Sequence, residues 1–264
     1  MDPPENEPEP TLEPLSSSRA SLEPERSNPQ PPGFWLTIAL GAAIFFAFLT
    51  GQSLPVIGAI AWQYVSVEGF EGDPMKIAMD GDVLALSTFG GGLFGLLLVG
   101  ILIRAIGWRI PSFLALHRFS WWHLPLWLVV TYGAALLHTW AAPHFSKDEI
   151  PEFMVDAYQS TDSMLLLALA IAGMAPLFEE VFFRGFLFTG WQHTWLKIAG
   201  TAILTSFLWT IIHVQYGWFE LSWIFLLGLL LGLARHLSRS LWIPIAMHVF
   251  NNALSLVITH AELS

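Results

Sequence analysis

The chain has 264 residues, of which 54% are hydrophobic and 12% charged, with a net charge of −10 and a mean hydropathy of +0.57. Soluble domains carry about 25% charged residues, so too few polar side chains are available here to cover a soluble surface. The apolar runs 34–47, 89–103 and 163–178 point to a polytopic membrane protein instead. The lack of cysteine excludes disulfides, thiolate metal sites and a cysteine nucleophile, and the acidic balance excludes a nucleic-acid partner, which needs basic patches.

In chain order, residues 1–33 come first, with nine of the seventeen prolines, seven acids and two arginines. A segment of this composition cannot bury enough apolar surface to offset its ordering entropy, so it reads as a disordered tail. It lacks the cationic start and short apolar core of a signal peptide. From Phe34 onward the sequence predicts an all-α bundle of about seven to eight membrane spans. Those read are 34–62 (bent near Pro55), 83–103, 121–141, 163–188, 197–213, 220–236 and 242–258. Trp121, Trp122, Trp191 and Trp195 fall at span ends, where indole rings anchor at the interface. Loop 104–120 carries Arg104, Arg109 and Arg118, and loop 235–241 carries Arg235 and Arg239, whereas 63–82 and 142–162 are acidic. The positive-inside rule then puts the N-terminus in the cytoplasm. Three regions follow the tail: N-terminal helices (34–162), a core (163–258) and a short end (259–264).

Charge inside the spans is the informative feature. Glu179, Glu180 and Arg184 lie in a single apolar stretch, where each charge costs at least a few kcal/mol. Glu180 and Arg184 are spaced i,i+4 and can neutralise each other. Glu179 points about 100° away from that pair and has no local partner. A carboxylate without a partner in a low-dielectric setting binds its proton more tightly, the condition a general base needs near neutral pH. Pro176 removes one helical hydrogen bond beside the pair and predicts a kink.

Two histidines join this group. His213 ends an apolar run, with Trp209 one turn before it. His248 lies about two turns into the last span, with Asn252 on the same face. Most of the other histidines sit in loops or at span ends, and His138 lies in a span without an evident partner. Each polar group taken alone is a plausible core hydrogen-bond pair. Three clusters on three helices of an oily chain make a site, because unpartnered buried polar groups are expensive. Such a set supplies a base for water and donors for an oxyanion, and Glu179, His213 and His248 would equally suit an open zinc site.

These residues carry a resemblance. Glu179-Glu180-x-x-x-Arg184, Trp209-x-x-x-His213 and His248-x-x-x-Asn252, in this order on separate spans, resemble the three motifs of the CPBP intramembrane protease family. That family includes the type II CaaX prenyl endopeptidases and the Abi, or bacteriocin-processing, group. The flanking Phe183-Arg184-Gly185, Gly228-Leu-Leu-Leu-Gly-Leu233 and Ser240-Leu-Trp-Ile-Pro244 are similar too. The resemblance spans about 163–258 and departs from the pattern at Trp209, where the family usually has phenylalanine.

It implies an intramembrane endopeptidase with a catalytic set of Glu179, Glu180, His213, His248 and Asn252. Glu179 would activate water with His213 assisting, and His248 and Asn252 would stabilise the oxyanion. Glu180, with Arg184 and Trp209, would support them. The family has been described both as metal-independent glutamate proteases and as metalloproteases. The reading preferred here needs no cofactor, since asparagine suits an oxyanion hole better than a zinc shell. Zinc on Glu179, His213 and His248 is the alternative. Expected partners are a membrane-associated peptide or protein substrate and the lipid bilayer, and the expected location is a bacterial cytoplasmic membrane. A catalytically silent scaffold or immunity-type protein of the same fold, and a proton- or metal-coupled transporter, stand as alternatives.

Overall fold

The computed structural model describes residues 29–66, 73–145 and 152–263. The expected tail 1–33 therefore falls outside the described residues except at 29–33. Helices α1 (Phe34–Ser66), α2 (Pro74–Met79), α3 (Gly81–Ala105), α4 (Ile110–Phe113), α5 (His123–Phe145) and α6 (Glu152–Ser160) come first. They are followed by α7 (Met164–Trp191), α8 (Lys197–Ile211), α9 (Trp218–Ser238) and α10 (Trp242–Leu263). No strand occurs among the described residues. The all-helical bundle read from the composition is borne out.

Six of these helices (α1, α3, α5, α7, α9 and α10) are long and apolar enough to cross a membrane. The seventh expected span, 197–213, is corrected: α8 has 15 residues, about 22 Å of helix against a hydrocarbon core of about 30 Å. It stops before His213 because the chain turns there, with the His213 N–H donating to the Thr210 carbonyl at 3.0 Å. Pro55 lies inside an uninterrupted α1.

Helices α1 and α3 pack most closely. A Cβ at Gly51 would sit 2.4 Å from the Gly90 carbonyl oxygen, and one at Gly90 2.4 Å from that of Gly51, so the two backbones meet as small residues allow in membranes. The main core is aromatic and surrounds α7: Phe178, Phe182, Phe183 and Phe186 are buried in it with Ile44 of α1, Val99 of α3 and Leu231 of α9.

Helix α7 is not regular. Ala170–Met174 and Val181–Leu187 are π-helical, on either side of the short α-helical turn Ala175–Glu180 that holds both glutamates. Wide π turns of this kind concentrate at functional sites. The proline effect expected here appears as this change of winding, with the chain remaining helical through Pro176.

The bundle ends separate by charge. On one face, the Trp191 indole N–H donates to the Phe34 carbonyl (3.3 Å) and the Thr189 hydroxyl to that of Phe113 (2.9 Å). The Ser240 hydroxyl donates to the His117 carbonyl (2.8 Å) on the same face. Arg104, Arg109, Arg118, Lys197, Arg235 and Arg239 all lie there. At the opposite face the Gly81 N–H donates to Ser160 Oγ at 2.9 Å, and the Thr161 hydroxyl to Asp82 at 2.7 Å. That face carries Asp73, Asp80, Asp82, Asp156, Asp162, Glu220 and Glu262. Trp121, Trp122 and Trp195 are 81, 48 and 73% exposed, as interface anchors would be. Trp191 departs from that expectation: it is 2% exposed and packs in the core.

Candidate active site

Glu180 and Arg184 are both fully buried and joined by a 2.9 Å bond from Arg184 Nη1 to Glu180 Oε1. Arg184 Nη2 donates to the Gly228 carbonyl at 3.2 Å. Gly228 permits that approach, since a Cβ there would lie 3.1 Å from Nη2. The same Glu180 Oε1 accepts from His248 Nδ1 at 2.9 Å. A carboxylate already holding a guanidinium is an acceptor, so His248 carries its proton on Nδ1 and turns Nε2 the other way. Nε2 faces Glu179, 3.9 Å from Oε2. Glu180 thus fixes the tautomer and orientation of His248, as carboxylates behind a working histidine do.

Glu179 is not without a partner. The Trp209 indole N–H donates to its Oε2 at 2.5 Å, and the Glu179 side chain keeps 17% exposure. The two residues meet at one depth: Trp209 lies about 18 Å along α8 from Lys197, and Glu179 about 18 Å along α7 from Trp191. His213 stands two residues beyond the end of α8.

Trp209, 2% exposed, touches Glu179, Arg184, His213 and His248. Its ring face carries the Arg184 guanidinium at 4.6 Å from the centroid, a cation–π contact. Its ring meets those of His213 and His248 at 5.2 and 5.1 Å. Its backbone carbonyl accepts from His213 Nδ1 at 2.7 Å, which leaves His213 Nε2 as the basic nitrogen. His213 reaches Glu179 and His248 through Trp209.

Asn252 lies apart from this cluster. Its Nδ2 donates to the Ile171 carbonyl at 3.0 Å, and its Oδ1 accepts from Asn251 at 3.3 Å. The reason lies in α7. In the π register the Ala175 N–H bonds back to Ala170, so the carbonyl of Ile171 would be served by residue 176, which is proline and has no N–H. Asn252 supplies the missing donor and retains one further N–H.

Two residues join the site that the sequence does not assign to it, and one of them, Arg235, lies buried on α9 instead of in a loop. Tyr216, in the turn after His213, packs its ring against His213 (6.0 Å) and Phe153 of α6 (5.6 Å). Burial, reinforced by the charges of Glu179 and Glu220, holds its hydroxyl well above the usual tyrosine range. Arg235 is 6% exposed, donates Nε–H to the Arg184 carbonyl at 3.2 Å and lies over Phe188. Both owe their place to loop and helix packing. His138 stacks on Phe219 at 5.2 Å and takes no part in the site.

No group of three or more His, Cys, Asp or Glu able to hold a metal occurs among the described residues. His213 and His248 each use Nδ1 on an oxygen acceptor and leave Nε2 open, an arrangement that metal-bound histidines share.

Fold and site define the class: a polytopic helical membrane protein with a charged, hydrogen-bonded centre buried among three helices. Comparison carries this further, and the resemblance read from the motifs is borne out, since residues 161–254 match the family described as Rce1-like, Type II CAAX prenyl endopeptidase. The chain is also similar to an Escherichia coli protein described as "Uncharacterized 24.3 kDa protein", 34% identical over 104 residues. That alignment covers 38% of this chain and 48% of the relative, so the chain spans about half the length of the relative it matches. No solved structure matches.

Proposed function

We propose that this protein is an intramembrane endopeptidase in which water is activated at Glu179 without a metal ion. The observation that carries the reading is the meeting of Glu179, Trp209 and His248 on three helices, inside the segment that matches a protease family. Glu179 takes a proton from water, with His213, linked to it through Trp209, assisting. The water oxygen attacks the carbonyl carbon, the C–N bond breaks, and the proton passes to the leaving amine. His248, held by Glu180, stabilises the developing oxyanion. Nδ1 is used on Glu180, so the Nε2 edge of the ring is the part of His248 that faces the reacting carbonyl. The free N–H of Asn252 is the second donor.

The substrate class proposed is a membrane-associated peptide or protein, with a CaaX-type tail as the first candidate on the strength of the family. Placing the arginine-rich face in the cytoplasm follows the positive-inside rule, and a bacterial cytoplasmic membrane is the location proposed. The test is purified protein in detergent with fluorogenic peptides, with and without a prenyl group, wild type beside Glu179→Gln. The expected result is cleavage by wild type alone, unchanged by a strong chelator. Equal cleavage by Glu179→Gln would overturn the assignment. Loss with chelator, restored by zinc, would replace the metal-free reading. Metal flux without cleavage would favour a transporter.

A further inference from the structure

One face of the bundle has cations and no counter-charge among the described residues. Arg104, Arg109, Arg118, Lys197 and Arg239 are exposed there, with Arg235 buried beneath them. No carboxylate stands on that face among the described residues, and the salt bridges among those residues all belong to the Glu179–Glu180 centre. Trp121, Trp122, Trp195 and Trp242, each within a few residues of one of these cations in the chain, have exposed indole rings. The surface therefore offers guanidinium groups beside flat aromatic rings, the combination that suits an acidic, proline-rich segment.

The chain carries such a segment. Residues 1–28 hold seven acids against two arginines, with six prolines, and they end beside the basic face. Gly107 lies in the loop between Arg104 and Arg109 at φ +84°, and a Cβ there would sit 3.4 Å from Cγ of Pro29. The segment thus starts between two of the cations. Its 28 residues span at most roughly 90–100 Å, enough to reach Arg118 and Arg239. Tethering raises the local concentration of the segment to about the millimolar range.

We propose that residues 1–28 dock on this basic, tryptophan-studded face, pairing carboxylates with Arg104, Arg109, Arg118 and Arg239 and laying prolines on the indoles. The docking is electrostatic, so salt loosens it and an anionic lipid surface competes for the same cations. This inference does not depend on the chemistry proposed for Glu179.

The full chain has no cysteine, so a clean donor–acceptor pair is made with Thr11→Cys and Ser120→Cys. Energy transfer is measured in neutral phosphatidylcholine nanodiscs. The expected result is high transfer at about 0.05 M salt that falls at about 0.5 M, where the screening length shrinks to about 4 Å. Transfer is expected to be low at both salts in the Arg104→Gln/Arg109→Gln/Arg118→Gln/Arg239→Gln variant. It also falls at low salt when phosphatidylglycerol is added. Equal transfer in wild type and the quadruple variant at low salt overturns the proposal. A second variant, Glu5→Gln/Glu7→Gln/Glu9→Gln/Glu13→Gln, leaves the helices untouched and must give the same loss.

Discussion

Trp209 is the residue at which the local reading and the family pattern lead to opposite expectations, and Trp209→Phe decides between them. The change keeps an aromatic ring in a site that is 2% exposed, and removes the N–H that reaches Glu179 at 2.5 Å. A hydrogen bond to a charged group contributes about 1.5–3 kcal/mol, and each 1.36 kcal/mol is about tenfold in rate. If the bond holds Glu179 where it meets water, kcat falls about 10- to 150-fold. KM stays within about twofold, because a buried indole does not touch substrate. The smaller ring also weakens the contact with Arg184 and leaves space, which destabilises by about 1–3 kcal/mol. Melting and kinetics in detergent are therefore read together, at a temperature well below both transitions. The resembled family usually has phenylalanine here, so undiminished kcat is a real rival outcome. It would show that Glu179 is positioned without the indole, and would refute the reasoning.

Four further outcomes follow from the same geometry. Arg184→Ala leaves Glu180 as a buried unpaired charge beside His248, and is expected to cost about 3–5 kcal/mol; a melting temperature equal to that of wild type would refute the pairing. Asn252→Ala is expected to lower kcat about 10²–10³-fold if its free N–H meets the oxyanion; a loss of stability with unchanged kcat would confine Asn252 to the Ile171 carbonyl. Gly51→Ala places a methyl 2.4 Å from the Gly90 carbonyl and is expected to cost about 1–3 kcal/mol through overpacking, read as a lower midpoint of unfolding. Of the four tyrosines, Tyr216 is expected to resist ionisation near pH 10, seen as a missing step in absorbance at 295 nm that no longer lags in Tyr216→Phe. Its folded value is raised, so its contribution to stability is intact below pH 10 and declines above it, as the unfolded chain ionises first.

Most of the fold was legible because hydropathy and length alone define a membrane helix. The exception, α8, shows where that logic ends: its run is apolar, yet a turn at 212–217 stops it short, and no proline marks the place. The site was legible as far as charge in an oily chain reveals it. Glu180 with Arg184 could be paired from i,i+4 spacing, and the bond is found. The partner of Glu179 could not, because it comes from another helix and was disguised as an aromatic packing residue. Tyr216 and Arg235 went unassigned for a similar reason, since both reach the centre through tertiary packing without any spacing signal.

The two adjacent glutamates show how one helix assigns opposite tasks to identical side chains. Both lie in the single α-helical turn between two π segments, and one residue of rotation separates them by about 100°. That rotation turns Glu180 into the protein, where Arg184 and His248 share one oxygen and exposure is zero. The same rotation leaves Glu179 at 17% exposure, with an indole donor and a histidine edge as its neighbours. A carboxylate that already neutralises a buried guanidinium cannot give up that role without a large cost, so Glu180 is unsuited to exchanging a proton with water. Glu179 bears no guanidinium and is the one of the two that can do so. In the mechanism proposed for this site the diad supplies one fixed charge and one base, and the direction in which His248 faces follows from the fixed one.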